Sequence, residues 1–260
     1  MRYTKQKVLV IFTFLVVLMI YISLKIYRTE HFDSQVTHNY LAYYTVFCGA
    51  RNNAAFNIPP VPSESNDCYY YTNNPELFES LKSTKWIPRR LDIQVSDDEI
   101  ESCMAAKHIK ACPHMYEDLK KYKYTCFQDS KLRVIDSLCK ELIQKNMPQY
   151  SMILRQHLFL QPNIYNEFNE SMKQPRYVKQ KTQYEAYIQK QLQAGLSETT
   201  PQHIQCGYIV RDMTSPIIKR INETWYEHIQ ECGIQDQISF FFVKQLFPTS
   251  ILGVDRTVYN

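Results

Sequence analysis

An uninterrupted apolar segment near the start of the chain limits its possible folds more than any other feature. From Val8 to Leu24 the sequence has no charged residue, proline or glycine. A helix of this length rises roughly 25 Å, and two further residues, Ile26 and Tyr27, extend it towards the roughly 30 Å of hydrocarbon in a bilayer. The segment therefore predicts a transmembrane helix. Basic residues flank it on both sides: Arg2, Lys5 and Lys7 before it, and Lys25 and Arg28 after it.

A cleaved signal peptide is the alternative reading of this segment. Its apolar region would be shorter, about 7–15 residues, and would end in small residues, whereas the stretch from Tyr21 to Lys25 offers no such site. More basic groups precede the segment than follow it, which favours a cytoplasmic N-terminus. We therefore expect a single-pass type II membrane protein of the Golgi or endoplasmic reticulum. Residues 1–28 would form the tail and anchor, residues 29–39 a polar stalk, and residues 40–260 one lumenal domain.

The cysteines are consistent with an oxidising compartment. All eight follow the predicted anchor, and an even number of cysteines is typical of disulfide-bonded proteins. Free cysteine is also a small buried hydrophobe, so disulfides and buried thiols both remain open, while the lack of C-x-x-C spacing argues against structural zinc. Sequons at Asn169 and Asn222 point to a glycoprotein. The net charge of +4 is too small and too evenly spread to indicate nucleic-acid binding.

Short aromatic and β-branched runs alternate with amphipathic stretches after residue 40. This alternation predicts an α/β domain with three layers and a mainly parallel sheet, in which ligands bind beyond the carboxyl ends of the strands. The predicted strands are residues 41–48, 68–72, 124–127 and 150–154, with 85–95 extended. The predicted helices are residues 97–106, 116–122, 135–145, 177–194, 216–231 and 236–247.

Two features fall near the predicted crevice. Asp129 follows the apolar strand 124–127, where a carboxylate can bind a divalent cation or a ribose hydroxyl; turn-forming aspartates are also common there. Just upstream, the segment from Lys107 to His114 contains two lysines and two histidines around a proline. These cations could hold a diphosphate, or the segment could be the solvated end of a helix.

The order of short motifs resembles a known family. The motifs are Tyr44-Thr45-Val46-Phe47-x-Gly49, Asp67-Cys68-Tyr69, Trp86, Lys107-x-x-Lys110-x-x-Pro113-His114, Asp129, Arg155-Gln156-His157, Ile164-Tyr165-Asn166-Glu167, Gly195-Leu196, Ile209-Val210-Arg211, Trp225-Tyr226 and Asp236-Gln237-Ile238-Ser239-Phe240. In this order they resemble the plant-type mucilage-related and turgor-regulation-defect family, formerly domain of unknown function 616. The resemblance covers about four fifths of the chain.

The resemblance implies an A-type glycosyltransferase domain at residues 40–260, behind one N-terminal anchor. Such an enzyme moves a hexose or pentose from a nucleoside diphosphate sugar to a glycan, glycoprotein or glycolipid acceptor. Position by position, it implies donor-binding roles for Lys110, His114, Asp129 and Arg155, and catalytic roles for His157 and Asp236. The chain departs from the family pattern at Asp129-Ser130-Lys131, which lacks a second metal-binding carboxylate, and at Gln128 and Gln235.

The chemistry of glycosyl transfer explains these residue types. The leaving diphosphate must be neutralised, by Lys and His or by a divalent cation, while the sugar passes through an oxocarbenium-like state. Lys110 and His114 could supply the positive charge. Manganese or magnesium would have Asp129 as its ligand, although the missing second carboxylate argues against metal dependence. Asp236 could deprotonate the acceptor, or it could be an ordinary acid in the first turn of a helix.

Two other functions remain open from the sequence. A membrane-associated hydrolase of ceramide-type lipids would use Asp129 with His108, His114 and His157 as metal ligands, although no His-x-x-x-His spacing supports it. A non-catalytic glycan-binding relative would explain the missing second carboxylate.

Overall fold

The computed structural model describes residue 19 and residues 40–50, 57–157 and 162–255. The chain divides into two units, Met1–Tyr40 and Leu41–Asn260, and the fold below is that of the second. Apart from Met19, the predicted anchor and stalk lie outside the described residues. Within those ranges, no helix has both the length and the apolar character to cross a membrane.

Strands and helices alternate along the domain, as predicted from the sequence. The strands are β1 (Leu41–Phe47), β2 (Asp67–Thr72), β3 (Ile87–Arg90), β4 (Tyr124–Gln128), β5 (Met152–Gln156), β6 (Ile204–Asp212) and β7 (Ile251–Val254). The helices are α1 (Pro75–Leu81), α2 (Glu99–Ala111), α3 (Glu117–Lys120), α4 (Asp136–Asn146), α5 (Ile164–Ser171), α6 (Pro175–Val178), α7 (Lys181–Gln193), α8 (Ile218–Cys232) and α9 (Asp236–Leu246), with a 3₁₀ turn at Pro113–Met115.

The strands form one mixed sheet of seven, in the order β3-β2-β1-β4-β6-β5-β7. Strands β1 to β4 are parallel, β6 is antiparallel to both of its neighbours, and β7 is parallel to β5. Only β6 therefore runs against the others, which confirms the predicted mainly parallel sheet. The chain adds β2 and β3 on one side of β1 and then places β4 on the other. The strand order consequently reverses between β1 and β4.

Helices cover both faces of the sheet, so the domain has three layers. On one face, side chains such as Tyr44 and Phe127 belong to a core that includes Ile109 of α2, Trp225 of α8 and Phe240 of α9. On the other face, α4 packs against the strands, and the Tyr43 hydroxyl of β1 donates a hydrogen bond to Asp136 at 2.7 Å. The two helical layers leave the carboxyl ends of the parallel strands open, as the sequence predicted.

The structure decides between the two alternatives for the cysteines and makes one of the two sequons inaccessible. All eight cysteines are free thiols, and seven of them are buried, so the disulfides that the sequence left open are not formed. Asn222 is 0% exposed, and its side chain accepts a hydrogen bond from Arg211 at 2.9 Å. A glycosylating enzyme could not reach Asn222 in the folded protein. Asn169 is exposed on α5 and remains the accessible sequon.

Gly49 fixes the chain at the carboxyl end of β1. Its φ is +111°, and a Cβ atom there would lie 2.6 Å from Ser102 Oγ. Its backbone N–H donates to Asn73 Oδ1 at 2.9 Å, and its carbonyl accepts from Asn74 Nδ2 at 2.9 Å. The glycine therefore links the end of β1 to the residues after β2, and its lack of a side chain leaves room for Ser102 of α2.

Gly49→Ala is expected to lower the free energy of unfolding by about 2–4 kcal/mol, because it adds a steric clash to the strain of a positive φ. Gly195→Ala is the matched control, since Gly195 has φ +90° with open space around it and therefore reports the backbone strain alone. Urea unfolding of both variants tests this. Equal losses would show that the contact with Ser102 costs nothing.

Candidate active site

A crevice opens at the carboxyl ends of β1 and β4, where the strand order reverses. In open α/β sheets this is the position at which ligands bind. A cavity of about 440 Å³ lies there, with a smaller one of about 130 Å³ beside it at the end of β1. The larger volume is in the range of small-molecule sites. Four residues line both cavities: Cys103, Lys107, Lys110 and Asp129.

The two cavities differ in chemical character. The smaller one has apolar walls that include Phe47, Ala106 and Phe127. The larger one is walled mostly by polar side chains, among them Glu167, Gln174, Arg176, Gln205, Gln235 and Gln237. The charged side chains Lys107, Lys110 and Asp129 therefore stand at the boundary between an apolar space and a polar one.

Asp129 is placed by the end of β4. Its backbone N–H donates to the carbonyl of Gly207 at 2.7 Å, and its own carbonyl accepts from the N–H of Leu132 at 2.9 Å. The first bond ties Asp129 to β6, and the second closes a turn that leaves its side chain exposed at the crevice. The structure thus brings Asp129 and Lys110 to the same cavities.

Lys107 and Lys110 share one buried carboxylate. They are three residues apart on α2 and therefore lie on the same face of that helix. Their Nζ atoms lie 2.7 and 2.5 Å from Oδ2 of Asp236, the first residue of α9. The exposed fractions of the Lys107, Lys110 and Asp236 side chains are 15%, 9% and 7%. Two cations and one anion leave this triad with a net charge of +1 at the crevice.

The geometry does not support the predicted general-base role of Asp236. Burial alone would raise the pKa of this carboxyl, but the charges and hydrogen bonds of Lys107 and Lys110 overcome that effect and lower the pKa to about 2. A general base works best when its pKa is near the operating pH. Asp236 instead favours the charged form of Lys107, since burial would lower the pKa of Lys107 and the charge of Asp236 raises it.

A buried arginine fixes the backbone beneath Lys110. Arg211, on β6, is 0% exposed, and its Nη2 donates to the carbonyl of Lys110 at 2.8 Å. The Lys110 ammonium also lies 5.0 Å from the ring centroid of Phe127. These contacts hold Lys110 in one position and leave it little rotamer freedom to lose when a ligand binds.

Two predicted donor-binding residues are not part of this arrangement. His114 lines neither cavity; its Nδ1 lies 3.1 Å from Asn222 Nδ2 and its Nε2 lies 3.6 Å from Glu223, both on α8. Helix α2 ends at Ala111, before Pro113, and the chain turns away from the crevice. Arg155 is buried within β5 and also lines neither cavity. The structure therefore does not bring His114 and Arg155 to these cavities.

His157 lies at the wall of the larger cavity. Its backbone N–H donates to the backbone carbonyl of His203 at 2.8 Å, and the two imidazole rings lie 5.3 Å apart between centroids. His108 lies elsewhere, with Nδ1 2.7 Å from the hydroxyl of Tyr116. The four ligands of the lipid-hydrolase alternative are therefore not gathered at one place, because neither His108 nor His114 lines a cavity with Asp129.

Glu167 belongs to a buried polar network that the sequence did not reveal. Its Oε2 lies 2.6 Å from His203 Nε2 and accepts from Gln237 at 3.0 Å. Its Oε1 accepts from Gln235 Nε2 at 2.9 Å and from the Ser171 hydroxyl at 3.1 Å. Three of these contacts join α5 to Gln235 and Gln237 at the start of α9 and to His203 just before β6, while the bond from Ser171 lies within α5, so the network fixes the wall of the larger cavity. Most residues of this network are distant from Glu167 in sequence, so no local sequence pattern predicts it.

The described part of the chain contains no group of three or more His, Cys, Asp or Glu side chains that could hold a metal ion. Of the acids that line the larger cavity, Asp236 is engaged by two lysines and Glu167 by four hydrogen-bond partners. Asp129 pairs with no side chain among the described residues, and its Oδ1 accepts one long hydrogen bond, 3.4 Å, from the backbone N–H of Lys131. Its exposed carboxylate could share a divalent cation with substrate phosphates, as magnesium sites often do.

No protein-family model matches the chain, and no curated protein shows significant similarity to it. Among solved structures it is similar to the apo form of mouse xyloside xylosyltransferase 1, at 12% identity over 84% of this chain and 86% of that chain, with a TM-score of 0.46. It is similar to the apo structure of the bifunctional glycosyltransferase WbbM, at 11% identity over 84% of this chain and 39% of that chain, with a TM-score of 0.41. A third similar structure is that of 4-diphosphocytidyl-2C-methyl-D-erythritol synthase from Anaerococcus prevotii DSM 20548, at 9% identity over 84% of this chain and 87% of that chain, with a TM-score of 0.41. At these scores the likenesses do not identify a function.

Proposed function

We propose that the protein is a glycosyltransferase that binds a nucleoside diphosphate sugar in the crevice between β1 and β4. The observation that carries the proposal is the boundary between the two cavities, where Lys107, Lys110 and Asp129 meet at the reversal of strand order. The two lysines would neutralise the diphosphate, and Asp129 would bind a ribose hydroxyl or a divalent cation. The smaller apolar cavity suits the base, and the larger polar cavity suits the sugar and the acceptor.

The proposed reaction breaks the bond between the sugar and the diphosphate and forms a bond between the sugar and an acceptor hydroxyl. Negative charge grows on the leaving diphosphate in this step. The net positive charge of the Lys107–Asp236–Lys110 triad would therefore stabilise the transition state. The triad is already desolvated and fixed before the substrate arrives. Asp236 then acts as a positioning residue that holds both ammonium groups at the crevice.

In this scheme, a residue other than Asp236 must take up the proton of the hydroxyl that receives the sugar. His157 keeps its predicted catalytic role as part of the proposal, since its imidazole lies at the wall of the cavity that would hold the acceptor. When bound, a divalent cation would neutralise diphosphate charge beside Asp129.

The cellular setting is also part of the proposal. A single-pass type II anchor formed by Val8 to Leu24 would place the domain in the Golgi or endoplasmic reticulum lumen, with glycans, glycoproteins or glycolipids as acceptors. The motif order supports a relationship to the plant-type mucilage-related and turgor-regulation-defect family. The exposed sequon at Asn169 supports a lumenal location, and a glycan found on Asn169 but not on Asn222 would agree with it.

Thermal unfolding of the full chain in detergent, with a panel of nucleoside diphosphate sugars and with or without manganese, tests the proposed activity. A donor at about 100 times its Kd would stabilise the folded protein by about 2.7 kcal/mol. Asp129→Asn is expected to weaken binding of that donor at least about tenfold with little change in unliganded stability, because the side chain is exposed. Asp92→Asn, at an exposed position away from both cavities, is the matched control.

Three results would count against the proposal in different ways. Stabilisation by no nucleoside diphosphate sugar would exclude the donor site. An unchanged donor affinity in Asp129→Asn would remove Asp129 from that site. Donor binding without transfer to any acceptor glycan would favour the non-catalytic glycan-binding relative.

A further inference from the structure

Arg176 brings a further positive charge to the larger cavity, beside those of Lys107, Lys110 and Lys131. It is the second residue of the short helix α6 and lines that cavity, but it does not line the smaller one. Its guanidinium lies on the ring of Tyr177, with Cζ 4.5 Å from the ring centroid, and its Nη2 donates to the Tyr177 hydroxyl at 2.7 Å. The side chain is therefore held in one orientation by a buried aromatic residue.

No carboxylate within the described ranges forms an ion pair with Arg176, although several line the same cavity. Arg176 makes one hydrogen bond there, to a neutral hydroxyl, and pairs with no carboxylate. Its Nε is buried and has no hydrogen-bond partner in the same ranges. A guanidinium has five donors and is always charged, and it forms two parallel hydrogen bonds with a carboxylate or phosphate. Partial burial strengthens its attraction for an anion because water screens the charge less.

We propose that Arg176 binds an acidic group, a carboxylate or a phosphate, on the sugar or acceptor that occupies the larger cavity. The inference rests on the proposed function, because that function places the sugar and the acceptor in this cavity. Lys107 and Lys110 line both cavities and are assigned to the diphosphate, whereas Arg176 lines the larger cavity, farther from the space assigned to the base. A substrate with an acidic sugar would use both sites at once. The enzyme would then discriminate against neutral sugars.

Binding of three simple probes to the full chain in detergent tests this assignment. The probes are D-glucuronate, its neutral counterpart D-glucose, and inorganic pyrophosphate, each measured by ligand-observed NMR. The wild-type protein is expected to bind glucuronate at least about tenfold more tightly than glucose, and Arg176→Gln should remove that preference. Pyrophosphate binding should change less than about twofold in the same variant. Arg133→Gln, at an exposed position outside both cavities, should change none of the three.

Arg176→Lys keeps a positive charge and loses the planar fork, so it should bind glucuronate with intermediate affinity. If loss of packing on Tyr177 prevents Arg176→Gln from folding, Arg176→Lys is compared with the wild type instead. Equal binding of glucuronate and glucose by the wild type would overturn the inference, as would unchanged glucuronate binding in Arg176→Gln. Loss of pyrophosphate binding in Arg176→Gln would place Arg176 in the diphosphate site instead. Arginine-dependent glucuronate binding by a protein that binds no nucleoside diphosphate would uphold the inference and refute the proposed function.

Discussion

Replacing Asp236 with asparagine is expected to lower the free energy of unfolding at pH 7 by about 3–5 kcal/mol, because removing one partner of a buried ion pair leaves uncompensated charge behind. The change leaves two ammonium groups, both at least 85% buried by side-chain exposure, close to a neutral amide. The two lysines would then repel each other without an anion between them. Urea unfolding measures the loss, and Asp97→Asn, at an exposed position, should shift the free energy by no more than about 0.5 kcal/mol.

The pH dependence of the same variant separates the ion pair from simple packing. The pKa of Asp236 is about 2 in the folded protein and 3.8 without these interactions. A carboxyl with a lowered folded-state pKa stabilises the fold above its unfolded value and loses that contribution as the pH falls through its folded value. The stability difference between wild type and Asp236→Asn should therefore be largest above pH 4 and should shrink between about pH 4 and pH 2. A difference that stays constant over this range would assign the loss to packing alone.

The outline of the fold follows from local patterns in the sequence. Aromatic and β-branched runs gave the positions of β1, β2, β4 and β5, because side chains of this shape pack well on a sheet buried on both faces. The predicted extended region 85–95 is shorter in the structure, Ile87–Arg90, and the predicted helix 177–194 is divided into α6 and α7. The alternation of strands and helices was sufficient to predict a crevice at the carboxyl ends of the strands, because the carboxyl ends of parallel strands meet at one edge of the sheet.

Strand β6 was not predicted, and its composition explains why. Ile204–Asp212 contains Gln205, Gly207 and Arg211 among its apolar residues, so it shows neither a continuous apolar run nor strict alternation. It is the longest strand of the sheet among the described residues, and it runs antiparallel to its neighbours. Tertiary contacts, rather than local propensity, determine this strand.

The candidate site was predicted only as far as neighbours in sequence could show it. Lys107 and Lys110 stood out because they belong to a cluster of two lysines and two histidines around a proline. Their partner Asp236 is 129 and 126 residues away, and sequence spacing contains no sign of that contact. For His114, closeness in sequence did not mean closeness in space. It is four residues from Lys110, but the helix ends between them and the chain changes direction. Proximity in sequence was a poor guide wherever a proline interrupted the helix.

Arg211 presents the second large expected effect, because its hydrogen-bond partners in the described part of the core are all neutral groups. Its Nε donates to Asn222 Oδ1 at 2.9 Å, its Nη1 to the Tyr44 hydroxyl at 2.9 Å and its Nη2 to the Lys110 carbonyl at 2.8 Å. No carboxylate pairs with it among the residues that the structure describes. Two effects therefore compete when it is replaced by methionine. Removing a buried charge relieves a desolvation penalty, and it takes one charged hydrogen-bond donor away from each of three polar groups.

We expect the unsatisfied groups to decide the result. Asn222 Oδ1 would be left without a donor in the core, at a cost of about 1–3 kcal/mol. The Tyr44 hydroxyl and the Lys110 carbonyl would each lose a charged partner and keep only the 3.3 Å hydrogen bond between them. Arg211→Met should therefore lower the free energy of unfolding by about 3 kcal/mol or more in urea, whereas Arg133→Met, at an exposed position, should change it by less than about 0.5 kcal/mol. Because Arg211 holds the backbone of Lys110, the folded fraction of Arg211→Met should also bind pyrophosphate more weakly than wild type. A methionine variant as stable as the wild type would show that the desolvation penalty of Arg211 equals its three hydrogen bonds, and unchanged pyrophosphate affinity would show that Lys110 does not depend on Arg211 for its position.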